Sequence, residues 1–305
     1  MKFTTATIFK IDAMFDLPGA DAVEDNLKKS SFAPCGPTQE KSVGWAPPRE
    51  KGGPLLEAID GHWLLCLRIE TKAVPAAVLN DEVDERAAAI ERETGRNPGR
   101  KERKVLKQDV YLEFLPRAFP RESTIQVWID RKRGTIVLDN ASPSKTDEAI
   151  TSLVESIPGL SVRPLCATIQ PSTAMAEWLV SDAPDGFSIN RAAVLNATDD
   201  SKAKVGYTNR PLDTDDVREN IQQGMRPSRL ALTWQDRVSF VLCESGTITG
   251  IKMLDGILQS DGDAEAKADR FDGDVALATG ELGGLIEDLI GVLGDQYQRT
   301  IGEGS

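Results

Sequence analysis

The chain has 305 residues, of which 40% are hydrophobic, 28% charged and 6% aromatic, a globular composition that excludes the disordered and fibrous classes and suffices for a core without disulfides. Its 48 acidic against 36 basic residues leave a net charge of -12, which as a sum argues against a nucleic-acid partner. At about 150 residues per domain the length predicts two or three folding units.

Residues 3–11 alternate well enough for a first strand, preceded by no apolar leader with a cleavage site, and no run of 18 apolar residues occurs; the chain is expected to be neither exported nor membrane-spanning. Residues 20–30 suit a helix, with acids early and Lys28 and Lys29 late, complementing the helix dipole. Residues 32–48 are punctuated by Pro34, Gly36, Pro37, Gly44, Pro47 and Pro48 and predict a segment that is largely loop. The apolar run at 63–69 predicts a buried strand. A helix over 78–93 is broken by Gly95, Asn97, Pro98 and Gly99, and a second follows over 100–114, the two making a helical hairpin.

Strands at 124–130 and 135–139 read as a β-hairpin turning at Arg131, Lys132, Arg133 and Gly134. Helices are expected at 145–156 and 174–180. From Arg229 the pattern becomes a meander of three short strands, 230–234, 238–243 and 248–254, followed by an apolar helix over 271–293 that packs on it. Strands and helices mixed without repeated βαβ units place the chain in the α+β class with antiparallel sheets.

The charge is unevenly placed. Between Arg96 and Arg133 stand eleven basic residues, namely Arg96, Arg100, Lys101, Arg103, Lys104, Lys107, Arg117, Arg121, Arg131, Lys132 and Arg133, against five acids. That segment is +6, so the remainder is -18, and the chain from Asp255 onward is -9. Arg100, Arg103, Lys104 and Lys107 follow the i, i+3, i+4, i+7 spacing of one helix face, and nothing nearby neutralises that stripe except Glu102, which points away. Such a chain can present one cationic surface and repel polyanions elsewhere; the alternative is a helix face that is basic merely for solvation.

Absent motifs narrow the chemistry. There is no GxxxxGK[ST] loop, no GxGxxG opening a helix and no GxSxG elbow, which argues against ATP and dinucleotide enzymes. Cys35, Cys66, Cys166 and Cys243 form no CxxC pair and have only His62 to join them, so zinc, haem and thioredoxin readings fail and the four are expected to be buried thiols in a reducing cytoplasm. Any triad would have to use His62, beside Trp63 at the start of a strand, where a structural histidine is the better reading. Asp261, Asp263, Asp269, Asp272 and Asp274 could be divalent-cation ligands but do not match the calcium loop, and a solvated helix start accounts for them as well. No metal or cofactor is assigned.

Several segments resemble a known family. They are Phe32-Ala33-Pro34-Cys35-Gly36 with Gly44-Trp45-Ala46-Pro47-Pro48, the run Leu115-Pro116-Arg117-Ala118-Phe119-Pro120-Arg121, the strand pair from Leu230 to Phe240 around Thr233-Trp234-Gln235-Asp236-Arg237, and Arg270-Phe271-Asp272 with Thr279-Gly280-Glu281-Leu282. In order and over nearly the whole chain they resemble the RdgC family of bacterial recombination-associated proteins. The resemblance implies a multi-part α+β subunit forming a ring-shaped homodimer, whose cationic hole holds duplex DNA without sequence preference and so restrains RecA recombinase. It also implies that Arg117 lies near the basic wall and that Phe119 is the hydrophobic dimer contact, an ordinary core phenylalanine being the other reading. The family's polar fingertip falls at Asn209 and Arg210, although residues 207–211 depart from the basic pair expected there; Lys202, Lys204, Arg226 and Arg229 are weaker candidates for the same surface.

The corresponding division is 1–75 with 122–180 as a central α+β region, 76–121 as the protruding helical hairpin, and 181–305 as a C-terminal α+β region. The function expected is DNA binding without catalysis in the cytoplasm and nucleoid, with single-stranded DNA as a further candidate partner. Two other readings stay open: a Mg²⁺-dependent nuclease using the carboxylates of 261–274, and a regulator that touches the recombinase directly.

Overall fold

A computed structural model describes residues 3–49, 52–165, 168–254 and 267–294, with side chains omitted at 267–270. The elements run β1 (Thr5–Ile11), α1 (Ala20–Lys29), β2 (Lys41–Ala46), β3 (Leu56–Ile59), β4 (His62–Thr71), α2 (Ala76–Thr94), α3 (Arg100–Phe114), a 3-10 turn (Leu115–Arg117), β5 (Arg121–Asp130) and β6 (Thr135–Leu138). They continue with α4 (Pro143–Ser156), β7 (Val162–Pro164), α5 (Pro171–Val180), β8 (Phe187–Asn196), β9 (Lys204–Thr208), α6 (Asp215–Gln222), β10 (Arg226–Trp234), β11 (Val238–Cys243), β12 (Ile248–Met253) and α7 (Lys267–Leu293). Seven helices and an antiparallel sheet among the described residues make this an α+β chain.

The strands form one twelve-stranded sheet in the order β2-β4-β5-β6-β1-β12-β11-β10-β8-β9, with β3 beside β4 and β7 beside β1. Its centre is β1, which pairs with β6 from Thr7↔Leu138 to Lys10↔Thr135 and with β12 at Thr5↔Thr249 and Ala6↔Ile248. The first strand thereby joins early and late parts of the chain. One apolar cluster lies where α1 and α4 cover the sheet through Val23, Leu27, Ala149 and Leu153, with Leu65, Leu67 and Ile69 from β4. The other gathers α5, α6 and α7 against β8 and β10–β12, with Met175, Val217, Leu230 and Phe240 at its middle. On α7 the buried residues Val275, Ala278, Leu282, Leu285, Leu289 and Leu293 recur every three or four positions, so one face of the helix lies on the sheet.

The proline-rich segment 32–48 is loop at 32–40 and 47–48, as expected, but holds a strand that the prolines concealed. Its prolines bracket a strand: β2 pairs with β4 along its full length, from Lys41↔Thr71 to Ala46↔Cys66. Trp45 is fully buried and donates its indole N–H to Ser156 Oγ at 2.8 Å. Gly44 lets the chain at Ser31 and Phe32 lie against β2, since a Cβ there would stand 2.5 Å from Phe32 Cα. The expectation of buried thiols holds for Cys66, while Cys35 and Cys243 are half-buried and Cys166 lies outside the described residues.

Candidate nucleic-acid interface

The helices α2 and α3 pack antiparallel through Leu79, Val83 and Val110. The link begins at Gly95, whose φ of 72° closes α2 while its N–H bonds Glu91 O at 2.8 Å. At the start of α3 the Glu102 carboxylate accepts the Gly99 N–H at 2.7 Å and takes both arms of the Arg96 guanidinium, at 3.0 and 2.7 Å. Those bonds from Arg96, and then the Gly99 N–H, hold the Glu102 carboxyl below the usual range.

The stripe on α3 is therefore less open than its spacing predicts. Glu102 does point away from it, towards Arg96, but α2 supplies one carboxylate and one neutral amide to the stripe itself. Arg103 Nη2 donates to Asp84 Oδ1 at 2.9 Å, and Lys107 Nζ to Asn80 Oδ1 at 2.9 Å. Counted over residues 76–114 the helix pair carries nine acids and eight bases, a net of -1, so a count that starts at Arg96 leaves out the carboxylates of α2, among them Asp84, which meets the stripe. Exposed and without an ion pair among the described residues are Arg92, Arg100, Lys101 and Lys104, towards the end of the pair nearest the 95–99 link, and Lys107 further along α3.

At the other end of α3, about 22 Å away for fifteen residues, the turn anchored by buried Leu115 presents Arg117 and leads into β5 at Arg121. Phe119 lies between them with 91% of its surface exposed, so it is not a core residue. Phe119 forms part of the wall of a hollow of about 280 Å³ whose other lining residues include Val74, Pro75, Val78, Phe114, Arg117 and Arg121.

The remaining cations stand elsewhere. In the β5–β6 turn, buried Asp130 accepts the N–H groups of Lys132 and Arg133 at 3.0 Å each and binds Arg133 Nη1 at 3.0 Å. Arg133 Nε bonds Glu287 of α7 at 3.0 Å, and Arg131 lies over the Trp63 ring, 4.7 Å from its centroid. Of the three, only Lys132 is exposed with neither an ion pair nor a ring beneath its charge among the described residues. In the β9–α6 loop Asn209 has a φ of 57°, while Arg210 pairs with Asp216 at 3.1 Å and lies 5.3 Å from the Tyr207 ring centroid. The Thr214 hydroxyl, with Arg210 adding to it, keeps Asp216 below the usual carboxylate range. Arg226 donates to the Met225 carbonyl at 3.2 Å, and Lys202, Lys204 and Arg229 are exposed.

His62 Nδ1 accepts the Trp128 indole N–H at 3.2 Å, a structural use of the one histidine. Of the acidic run, Asp261, Asp263 and the Asp269 side chain lie outside the described residues, and Asp272 pairs with Arg49. Among the described residues no group of three or more His, Cys, Asp or Glu could hold a metal ion, and no helix is long and apolar enough to cross a membrane.

What the sequence reading missed is the pairing across the two helices. Its signal was present, because the four-residue step from Asn80 to Asp84 mirrors that from Arg103 to Lys107, as antiparallel neighbours require.

These features describe an α+β chain with a large antiparallel sheet, carrying unpaired cations and one bare aromatic on and beside an antiparallel helix pair. The family described as "Putative exonuclease, RdgC" matches residues 1–296. "Recombination-associated protein RdgC" of Janthinobacterium sp. (strain Marseille) is 40% identical over 301 residues, 98% of this chain and 100% of that one. Proteins of the same name from Cupriavidus pinatubonensis and Bordetella pertussis are 41% identical over 281 residues and 38% over 299, covering 92% and 97% of this chain and 94% and 99% of their own. The chain belongs to the RdgC family of recombination-associated proteins.

Proposed function

We propose that the protein is a duplex DNA-binding factor without sequence preference, acting as a ring-shaped homodimer that encircles DNA in the nucleoid and limits access of RecA recombinase. The observation that carries this reading is the cation set without ion pairs on α3, Arg100, Lys101, Lys104 and Lys107, on the same helix pair whose other end bears Arg117, Arg121 and the exposed Phe119. Cations of this kind meet phosphates and release condensed counterions, an interaction that carries no sequence information. An exposed phenylalanine on the wall of an apolar hollow suits a second copy, in which the two rings and the hollows they line pack together and close the interface next to the cations. DNA held in this way is withdrawn from the recombinase by mass action.

The test is sizing of the protein with and without duplex DNA across a range of salt. A dimer that gains mass with duplexes of unrelated sequence, and loses it as salt rises, supports the reading; a monomer indifferent to DNA refutes it. A second reading, a Mg²⁺-dependent nuclease, is favoured by the family's description as a putative exonuclease. Strand cleavage that requires Mg²⁺ and is abolished by Asp272→Ala with Asp274→Ala would establish it in place of the first.

A further inference from the structure

Arg103 and Arg96 are cations with tethered counterions. Arg103 is 43% exposed and its partner Asp84 65%, so a phosphate can reach the guanidinium only in competition with a carboxylate fixed beside it. An exposed pair of this kind is weak enough to exchange. The exchange has an unusual salt signature. When a free lysine meets a phosphate, the DNA sheds a condensed cation. When Arg103 leaves Asp84 for a phosphate, the DNA sheds a cation but the bared carboxylate attracts one, so little is released overall. The remaining carboxylates of α2, Asp81, Glu82, Glu85, Glu91 and Glu93, add a repulsive field on the same helix pair.

We infer that Asp84 is an affinity-limiting residue, an internal competitor that keeps Arg103 from neutralising a phosphate at full strength and so restrains how tightly the helix pair grips DNA. This rests on the DNA-binding reading above. It makes α2 the moderating partner of α3 rather than a passive support, and leaves Arg100, Lys101, Lys104 and Lys107 as the α3 cations with no carboxylate competitor among the described residues.

The experiment is equilibrium binding of the full chain to one labelled duplex at several NaCl concentrations, for the parent, Asp84→Asn, Asp81→Asn, Asp84→Asn with Arg103→Ala, and Arg100→Ala with Lys104→Ala. Asp84→Asn is expected to tighten binding about three- to tenfold at low salt and to steepen the log-log salt slope by up to about 0.9 for each phosphate newly neutralised. Asp81→Asn, which removes the same charge from an exposed position without an ion pair among the described residues, is expected to do less on both counts. The gain should vanish when Arg103 is also removed. Equal effects of Asp84→Asn and Asp81→Asn would reduce the matter to net charge and overturn the inference, as would an unchanged slope. If Arg100→Ala with Lys104→Ala weakens binding while Asp84→Asn is silent, this inference alone fails; if the parent does not bind duplex at all, the DNA-binding reading fails with it.

Discussion

Arg121 and Asp130 are the two ends of one strand, β5, and at about 3.3 Å per residue they stand about 30 Å apart. The cations flanking Arg121 and those of the turn after Asp130 are consecutive in sequence but cannot meet the same phosphate, since 30 Å is roughly nine base pairs of duplex. With the start of α3 about 22 Å from Arg117, the +6 segment is therefore three separate positions, and in the last Arg133 and Arg131 are already engaged within the fold.

It follows that replacing Arg100 and Lys104 with alanine should weaken binding to unrelated duplexes about equally and lower the log-log salt slope by roughly 0.9 for each phosphate no longer neutralised. Arg131→Ala should have a smaller effect on the slope, because its guanidinium is already engaged by the Trp63 ring. Salt titrations of the two variants side by side decide this; a larger drop from Arg131→Ala would transfer the interface to the β5–β6 turn.

Phe119→Ala should leave folding almost untouched, with unfolding free energy changed by no more than about 0.5 kcal/mol, because the ring is 91% exposed in the single chain. Burying a phenylalanine against a partner is worth roughly 1.5–3 kcal/mol, so dimer dissociation should become at least about tenfold more favourable at this interface. Sedimentation equilibrium alongside urea unfolding separates the two effects. A variant that dimerises like the parent would remove Phe119 from the interface.

Gly44→Ala should destabilise the protein by about 1–3 kcal/mol, since the new methyl would fall 2.5 Å from Phe32 Cα and 2.6 Å from its nitrogen, both backbone atoms that cannot rotate away. The urea midpoint should fall with an unchanged slope. An unaltered midpoint would show that the 30–32 segment can lift off β2 at no cost.

Burial pushes the Cys66 thiol up from its ordinary value, overriding the nearby Arg68 and the amide hydrogen bond from Gln126. Native protein at pH 8 should therefore alkylate slowly at Cys66, and quickly once unfolded, as read by peptide mapping. The sign for stability follows from the raised value. The folded state favours the protonated thiol, so its contribution is complete below the unfolded thiol's pKa and declines as pH rises beyond it. Rapid labelling of Cys66 in folded protein would contradict its burial.

Where one element carried one clear signal, the sequence was readable. The step from helix to turn at Gly95 and Pro98, the strands on either side of Gly134 and the meander after Arg229 all combine a regular apolar period with a punctuating residue, and they form with ends shifted by a few residues. Strand β2 was hidden because prolines at both its ends looked like prolines throughout. Strand β8 showed little, since Ser188, Asn190 and Arg191 interrupt its apolar alternation and it is held by β9 and β10 on its two sides. For the site, residue types were legible and their availability was not. Which cation is free depends on carboxylates brought from α2, α6 and α7, and that is a property of packing rather than of spacing.

The pairing of Thr5 with Thr249 sets a clock on the birth of the molecule. At about 5–20 residues per second, roughly 12–50 seconds separate translation of the first strand from that of its neighbour β12. Strands β6 and β7 can cover β1 from Thr7 to Ile11 early, but the pairing of Thr5 and Ala6 with β12 has to wait. A ribosome that stalls late in the message, before β12 has emerged, would thus leave a product in which the first two residues of β1 lack their strand partner and the two ends of the sheet are not joined.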